Sequence, residues 1–61
     1  PDKVLEALSD DPQTLAVLVK TVYDDVPEFL HDVAQFSLQA HLIKLAEDGK
    51  AEETEQGWHK T

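Results

Sequence analysis

Apolar residues recur along this chain in three helical stripes, followed by one short stretch of strand-like alternation. Over residues 2–8, Val4, Leu5 and Leu8 share a face of a short amphipathic helix, with Asp2 placed to cap it. Ser9-Asp10-Asp11-Pro12 ends it, because proline fixes its own φ and drives the residue before it out of helical geometry. The paired aspartates read as a solvated turn. Thr14 then caps a second helix, on which Leu15, Leu18, Val19, Val22 and Tyr23 fall at offsets 0, +3, +4, +7 and +8. Val17 lies off this stripe, Lys20 and Thr21 face outward, and Tyr23 is a core aromatic with its hydroxyl at the rim.

Asp24-Asp25-Val26-Pro27 makes the next break, and Pro27 suits the first position of a helical turn. Glu28, Phe29 and Leu30 supply that turn, with Phe29 or Leu30 expected to plug the core. A fresh helix, capped by Asp32, is expected over about residues 33–48. Ala34, Leu38, His41, Leu42 and Leu45 lie at 0, +4, +7, +8 and +11, so this stripe looks inward and carries His41 with it. Gly49 sits where the helix needs a left-handed residue to stop. Beyond it, Lys50 to Thr54 and Trp58 to Thr61 read as a β-hairpin around a Gln56-Gly57 turn. In that register Glu53 faces Lys60, and Ala51 and Trp58 share a face that leans on Leu45. The fold class that follows is mainly α with a small β-hairpin: a winged helix-turn-helix, made of a three-helix bundle and a two-stranded wing.

The opposite pole of the third helix changes the picture. Phe36 and Ile43 lie there, with Gln39 and Ala40 beside them. A helix on the outside of a three-helix domain is polar on that side unless something covers it. Phe36, Gln39, Ala40 and Ile43 are therefore the candidate residues for contact with a partner or a second domain.

At 61 residues the chain is a single domain, spanning residues 1–61, and its start at Pro1 suggests a piece cut from a longer protein. Thirteen acids against five lysines, with no arginine, leave a net charge of −8. Nucleic-acid binding draws most of its strength from Lys and Arg on phosphates, so a nucleic-acid partner is not expected. No apolar run approaches the ~20 residues of a membrane span, so no membrane partner is expected either. Without cysteine, no disulfide is available and any zinc site would lack thiolates. His31, His41 and His59 are not paired at helical ligand spacing. Ser9 and Ser37 lack a base and an orienting acid, and Gly49 and Gly57 do not make a phosphate loop. No catalytic, cofactor-binding or metal residue is assigned, and the residues describe a binding or packing module.

Three stretches carry a resemblance: Leu15 to Tyr23; Asp25-Val26-Pro27; and Ala40-His41-Leu42-x-Lys44-Leu45-x-x-Asp48-Gly49-Lys50. Together they resemble the C-terminal winged-helix domain of metallo-β-lactamase-fold hydrolases, of the β-lactamase-like or hydroxyacylglutathione-hydrolase-like kind. The resemblance implies an accessory domain that packs beside the active-site cleft and shapes substrate access. It implies a preceding catalytic domain that binds zinc through a motif absent here, so no catalytic or metal residue carries over. The resemblance implies a parent hydrolase of thioesters, lactams or RNA phosphodiesters, three alternatives that the sequence leaves open, and a cytoplasmic location is expected. Two other readings stand beside it: the DNA-binding head of a transcription regulator, and a free-standing interaction module that forms homo-oligomers through Phe36 and Ile43.

Overall fold

Three helices and a hairpin, joined by short connections, make up the fold. The computed structural model describes residues 2–61. The order is α1 (Lys3–Ala7), α2 (Leu15–Val22), a 3-10 turn (Glu28–Leu30), α3 (His31–Glu47), β1 (Ala51–Thr54) and β2 (Gly57–Lys60). Side-chain caps start the first two helices where expected. Asp2 accepts from the backbone N–H groups of Val4 and Leu5, and Thr14 accepts from that of Val17.

The third helix begins differently from the expectation. It starts at His31, flows directly out of the 3-10 turn, and has no side-chain cap; Asp32 lies inside its first turn. No fresh start is needed, because the Leu30 N–H already bonds to Pro27 O at 2.9 Å and leads the chain into the helix. The turn is secured from inside by His31. Its Nε2 donates to the carbonyls of Tyr23 (3.1 Å) and Val26 (3.0 Å) at the end of α2. With His31 filling that position, Phe29 and Leu30 are both exposed, and neither plugs the core.

The helix ends as its glycine predicts. Gly49 has φ +76°, its N–H bonds to Ala46 O at 3.0 Å, and the Lys50 N–H bonds to Leu45 O at 2.8 Å. This is the Schellman arrangement, which satisfies carbonyls that the helix leaves open.

The core comprises Val4 and Leu8 from α1, Leu18, Val19 and Val22 from α2, Leu38, Leu42 and Leu45 from α3, and Ala51 and Trp58 from the wing. Leu18, Leu38 and Leu42 are wholly shut off from solvent. No polar or charged residue is buried among the described residues, so burial of apolar surface carries the fold.

The wing departs from the expected register. Ala51 pairs with Lys60, Glu52 with His59, Glu53 with Trp58 and Thr54 with Gly57. Glu53 therefore does not face Lys60. The turn residues are Glu55 and Gln56, and Gly57 is the first residue of β2. Thr54 holds that turn, with its Oγ1 accepting from the Gln56 N–H and donating to Gly57 O. Ala51 and Trp58 do share the buried face, as expected.

A third extended segment pairs with β2. Gln13 and Trp58 exchange two backbone hydrogen bonds, Gln13 N–H to Trp58 O at 2.9 Å and Trp58 N–H to Gln13 O at 2.8 Å. The Lys60 N–H adds one to Ser9 O at 2.8 Å. The stretch between α1 and α2 thus lies along the free edge of β2, and is more than a solvated turn.

Gly57 is required at this crossing for two reasons. Its φ is +130°, and a Cβ there would lie 2.2 Å from Gln13 O and 2.8 Å from Thr14 N, both rigid backbone. Gly49 has an unusual φ but open space around it. Gly49→Ala should therefore cost about 1–2 kcal/mol, the left-handed penalty alone, and keep the fold. Gly57→Ala should cost clearly more, through loss of the Gln13–Trp58 pairing. Urea denaturation followed by Trp58 fluorescence reads both; equal costs for the two variants would contradict this account.

Candidate functional site

The inner stripe of α3 fixes which side of the helix faces out. Leu38, Leu42 and Leu45 are buried against the other elements, and Ala34 is half-buried beside them. The opposite side presents Val33, Phe36 and Ile43 to solvent, at 66%, 76% and 47% exposure. Gln39 and Ala40 are exposed between them. The four residues expected to form a contact face, Phe36, Gln39, Ala40 and Ile43, thus lie together on the open side of α3.

Sequence reasoning missed two members of that side. Val33 precedes Phe36 by three residues, and Phe29 precedes Val33 by four. Phe29 is 80% exposed in the 3-10 turn just before α3. Continuing the outer spacing backwards from Phe36 would have found both. The result is an α3 that carries large apolar groups on two opposed sides. Its amphipathicity largely cancels, whereas α2 keeps a single strong apolar side.

His41 is not core-facing as the stripe suggested. It lies at the stripe's edge, exposed, and its Nε2 bonds to Asp2 Oδ2 at 2.8 Å. The same carboxylate caps α1 through its other oxygen, at 3.0 Å from the Val4 N–H and 3.2 Å from that of Leu5. Asp2 therefore ties the start of α1 to the middle of α3. The hydrogen bond from His41, against a smaller opposing effect of partial burial and with help from the Leu5 N–H, holds its carboxyl below the ordinary aspartate value.

On the wing, His59 has a partner for each ring nitrogen. Nδ1 lies 3.0 Å from Lys60 O and Nε2 lies 3.0 Å from Glu52 Oε1, its cross-strand neighbour. Both partners accept, so the doubly protonated ring is favoured. The Lys60 carbonyl first, and then Glu52, raise its pKa above the ordinary histidine value. His31 has a structural role in the α2–α3 turn. Among the described residues, no three His, Asp or Glu side chains converge to hold a metal ion. No helix among the described residues is long and apolar enough to cross a membrane.

Three packed helices, a glycine-ended third helix and a two-stranded wing laid against the segment before α2 define a winged helix. The family model described as the beta-lactamase associated winged helix domain matches residues 14–58, from the cap of α2 to the buried tryptophan of the wing. The chain belongs to that family, and its association with β-lactamase-fold proteins comes with it. No solved structure gives a significant match to the chain.

The two sides of α3 should respond oppositely to substitution. Phe36→Gln and Ile43→Gln should leave the folding free energy within about 0.5 kcal/mol of the parent, whereas Leu38→Ala should cost about 2–5 kcal/mol. Chemical denaturation decides this, and a large loss from Phe36→Gln would mean that its side is part of the fold.

The two titrating contacts act at opposite ends of the pH range. Asp2, with its pKa lowered on folding, contributes stability at neutral pH that is lost as pH falls through its folded pKa. His59, with its pKa raised, contributes stability in mild acid that is lost as pH rises through its folded pKa. The domain should thus lose stability between about pH 5.5 and 8.5 more steeply than its His59→Ala variant does. Parallel denaturation series would show it; identical slopes would remove His59 as a source.

Proposed function

We propose that this chain is a non-catalytic, C-terminal accessory domain of a metal-dependent hydrolase of the metallo-β-lactamase superfamily. It lays the outer side of α3 against the catalytic domain, beside the active-site cleft, and so shapes substrate access. The observation that carries this reading is the second apolar side of α3, for which the domain has no use of its own. Its core is already closed by Leu38, Leu42 and Leu45 on the inner side. Phe36 and Ile43 gain from being covered only when another surface arrives. The family's association with β-lactamase-fold proteins supports placing that surface on a catalytic domain.

Zinc, in this reading, belongs to the catalytic domain. This chain's described residues do not assemble a ligand set, and no chemical step is assigned to them. Their work is positional. The location proposed is the cytoplasm. The DNA-binding alternative is poorly served by the same face, which offers Gln39 as its one base-reading side chain. The lysine at its edge, Lys44, is already paired with Asp48 at 3.5 Å.

The test is docking in solution. The isotopically labelled domain, whose core is built from its own residues, is titrated with the purified catalytic domain of its parent chain. Amide signals of Val33, Phe36, Ala40 and Ile43 should shift, while those of the wing turn stay in place. Unchanged signals along α3 would reject the reading.

A further inference from the structure

The spacing and the charge of the outer face identify the kind of surface it meets. Phe29, Val33, Phe36, Ala40 and Ile43 follow one another at steps of four, three, four and three. This is the repeat with which one helix packs lengthwise along another, each side chain entering a gap between residues of its neighbour. Between Val33 and Ile43 the line runs about 15 Å along α3, and Phe29 is exposed in the 3-10 turn that precedes it. A neighbouring strand, with its period of two, does not present gaps at these intervals.

The ends of the line are acidic. Glu28 and Asp32 lie at its beginning, and Glu47, four residues after Ile43, lies at its end; all three are exposed. Lys44 is the one lysine of α3, and its ammonium lies 3.5 Å from Asp48. A second copy of the chain is a poor occupant. Packed antiparallel, two such helices bring Glu28 and Asp32 of each near Glu47 of the other. Packed parallel, each acid meets itself. Either way like charges oppose each other, in two bodies that each carry −8.

We infer that the outer face of α3 receives an amphipathic helix whose apolar stripe is rimmed by lysine or arginine. This deepens the accessory-domain reading and rests on it for the location of that helix, on the catalytic domain. The apolar line supplies the adhesion, while the acids at its two ends select the partner and its register.

Two synthetic amphipathic peptides, each about three heptads long, test the inference. Both carry leucine and isoleucine at the apolar positions; one has lysine and the other glutamate at the flanking positions. Each is titrated into the labelled domain at low and at high salt. The lysine peptide should shift Val33, Phe36, Ala40 and Ile43 and bind roughly tenfold tighter than the glutamate peptide. That preference should shrink as salt is added. Replacing the three acids together (Glu28→Lys, Asp32→Lys, Glu47→Lys) should reverse it, and Phe36→Asp should abolish binding of both.

Equal affinities, no binding of either peptide, shifts confined to the wing, or a dimer in sedimentation that Phe36→Asp dissolves would each overturn the inference. If the catalytic domain docks but neither peptide binds, this inference falls and the accessory reading stands. If the lysine peptide binds but the catalytic domain does not, the chemistry of the face stands and its assignment to that domain falls.

Discussion

The rotation of α3 about its own axis is set by three leucines. Leu38, Leu42 and Leu45 occupy one side, and each is buried against α2, α1 or the wing. Turning the helix by a third of a revolution would pull them into water and leave voids beneath Leu18 and Val19, losing several large apolar burials at once. In a domain this small, no other interaction competes with that loss. Everything displayed on the outer side, Phe36 and Ile43 above all, is displayed because the inner side admits one rotation.

The wing is held by a second constraint, which is made of backbone. Gln13 and Trp58 exchange a pair of hydrogen bonds, and the Gln13 side chain donates to Ala7 O at the end of α1. One residue between two helices thus closes α1, receives β2 and sits hard against Gly57. The pairing brings Trp58 down onto the core, where it covers the open end of the helical layer. A hairpin with this many glutamates has poor strand propensity and does not stand alone. It forms here because a third segment and a buried tryptophan hold it from below.

The histidines show how one residue type takes different roles according to its place. His31 faces a helix end and secures the turn between α2 and α3. His41 reaches across to the carboxylate that caps α1. His59 sits between a glutamate and a carbonyl on the wing. All three make their contacts within the fold, and the outer side of α3 keeps Val33, Phe36 and Ile43 exposed. Its apolar residues lie between acidic ends, the combination on which the proposed protein contact rests.

Much of this was legible before any coordinates. The caps at Asp2 and Thr14, the stop at Gly49, the inner stripe of α3, the helix-helix-helix-hairpin order and the outward placement of Phe36 and Ile43 all follow from spacing and local geometry. These are properties of a residue and its near neighbours in the chain, and a stripe's period survives whatever packs on it. Tertiary structure alone decided the wing register, the placement of His41 and the course of the chain through Phe29. Glu53 meets Trp58 in a hairpin whose second strand is also paired with Gln13, forty residues and more away in sequence. His41 turns to solvent because Asp2, at the far end of the chain, offers it a carboxylate. Phe29 faces out because the His31 ring already fills the turn. Each of these is a choice between locally similar alternatives, and the distant partner that breaks the tie has no signature in the local pattern.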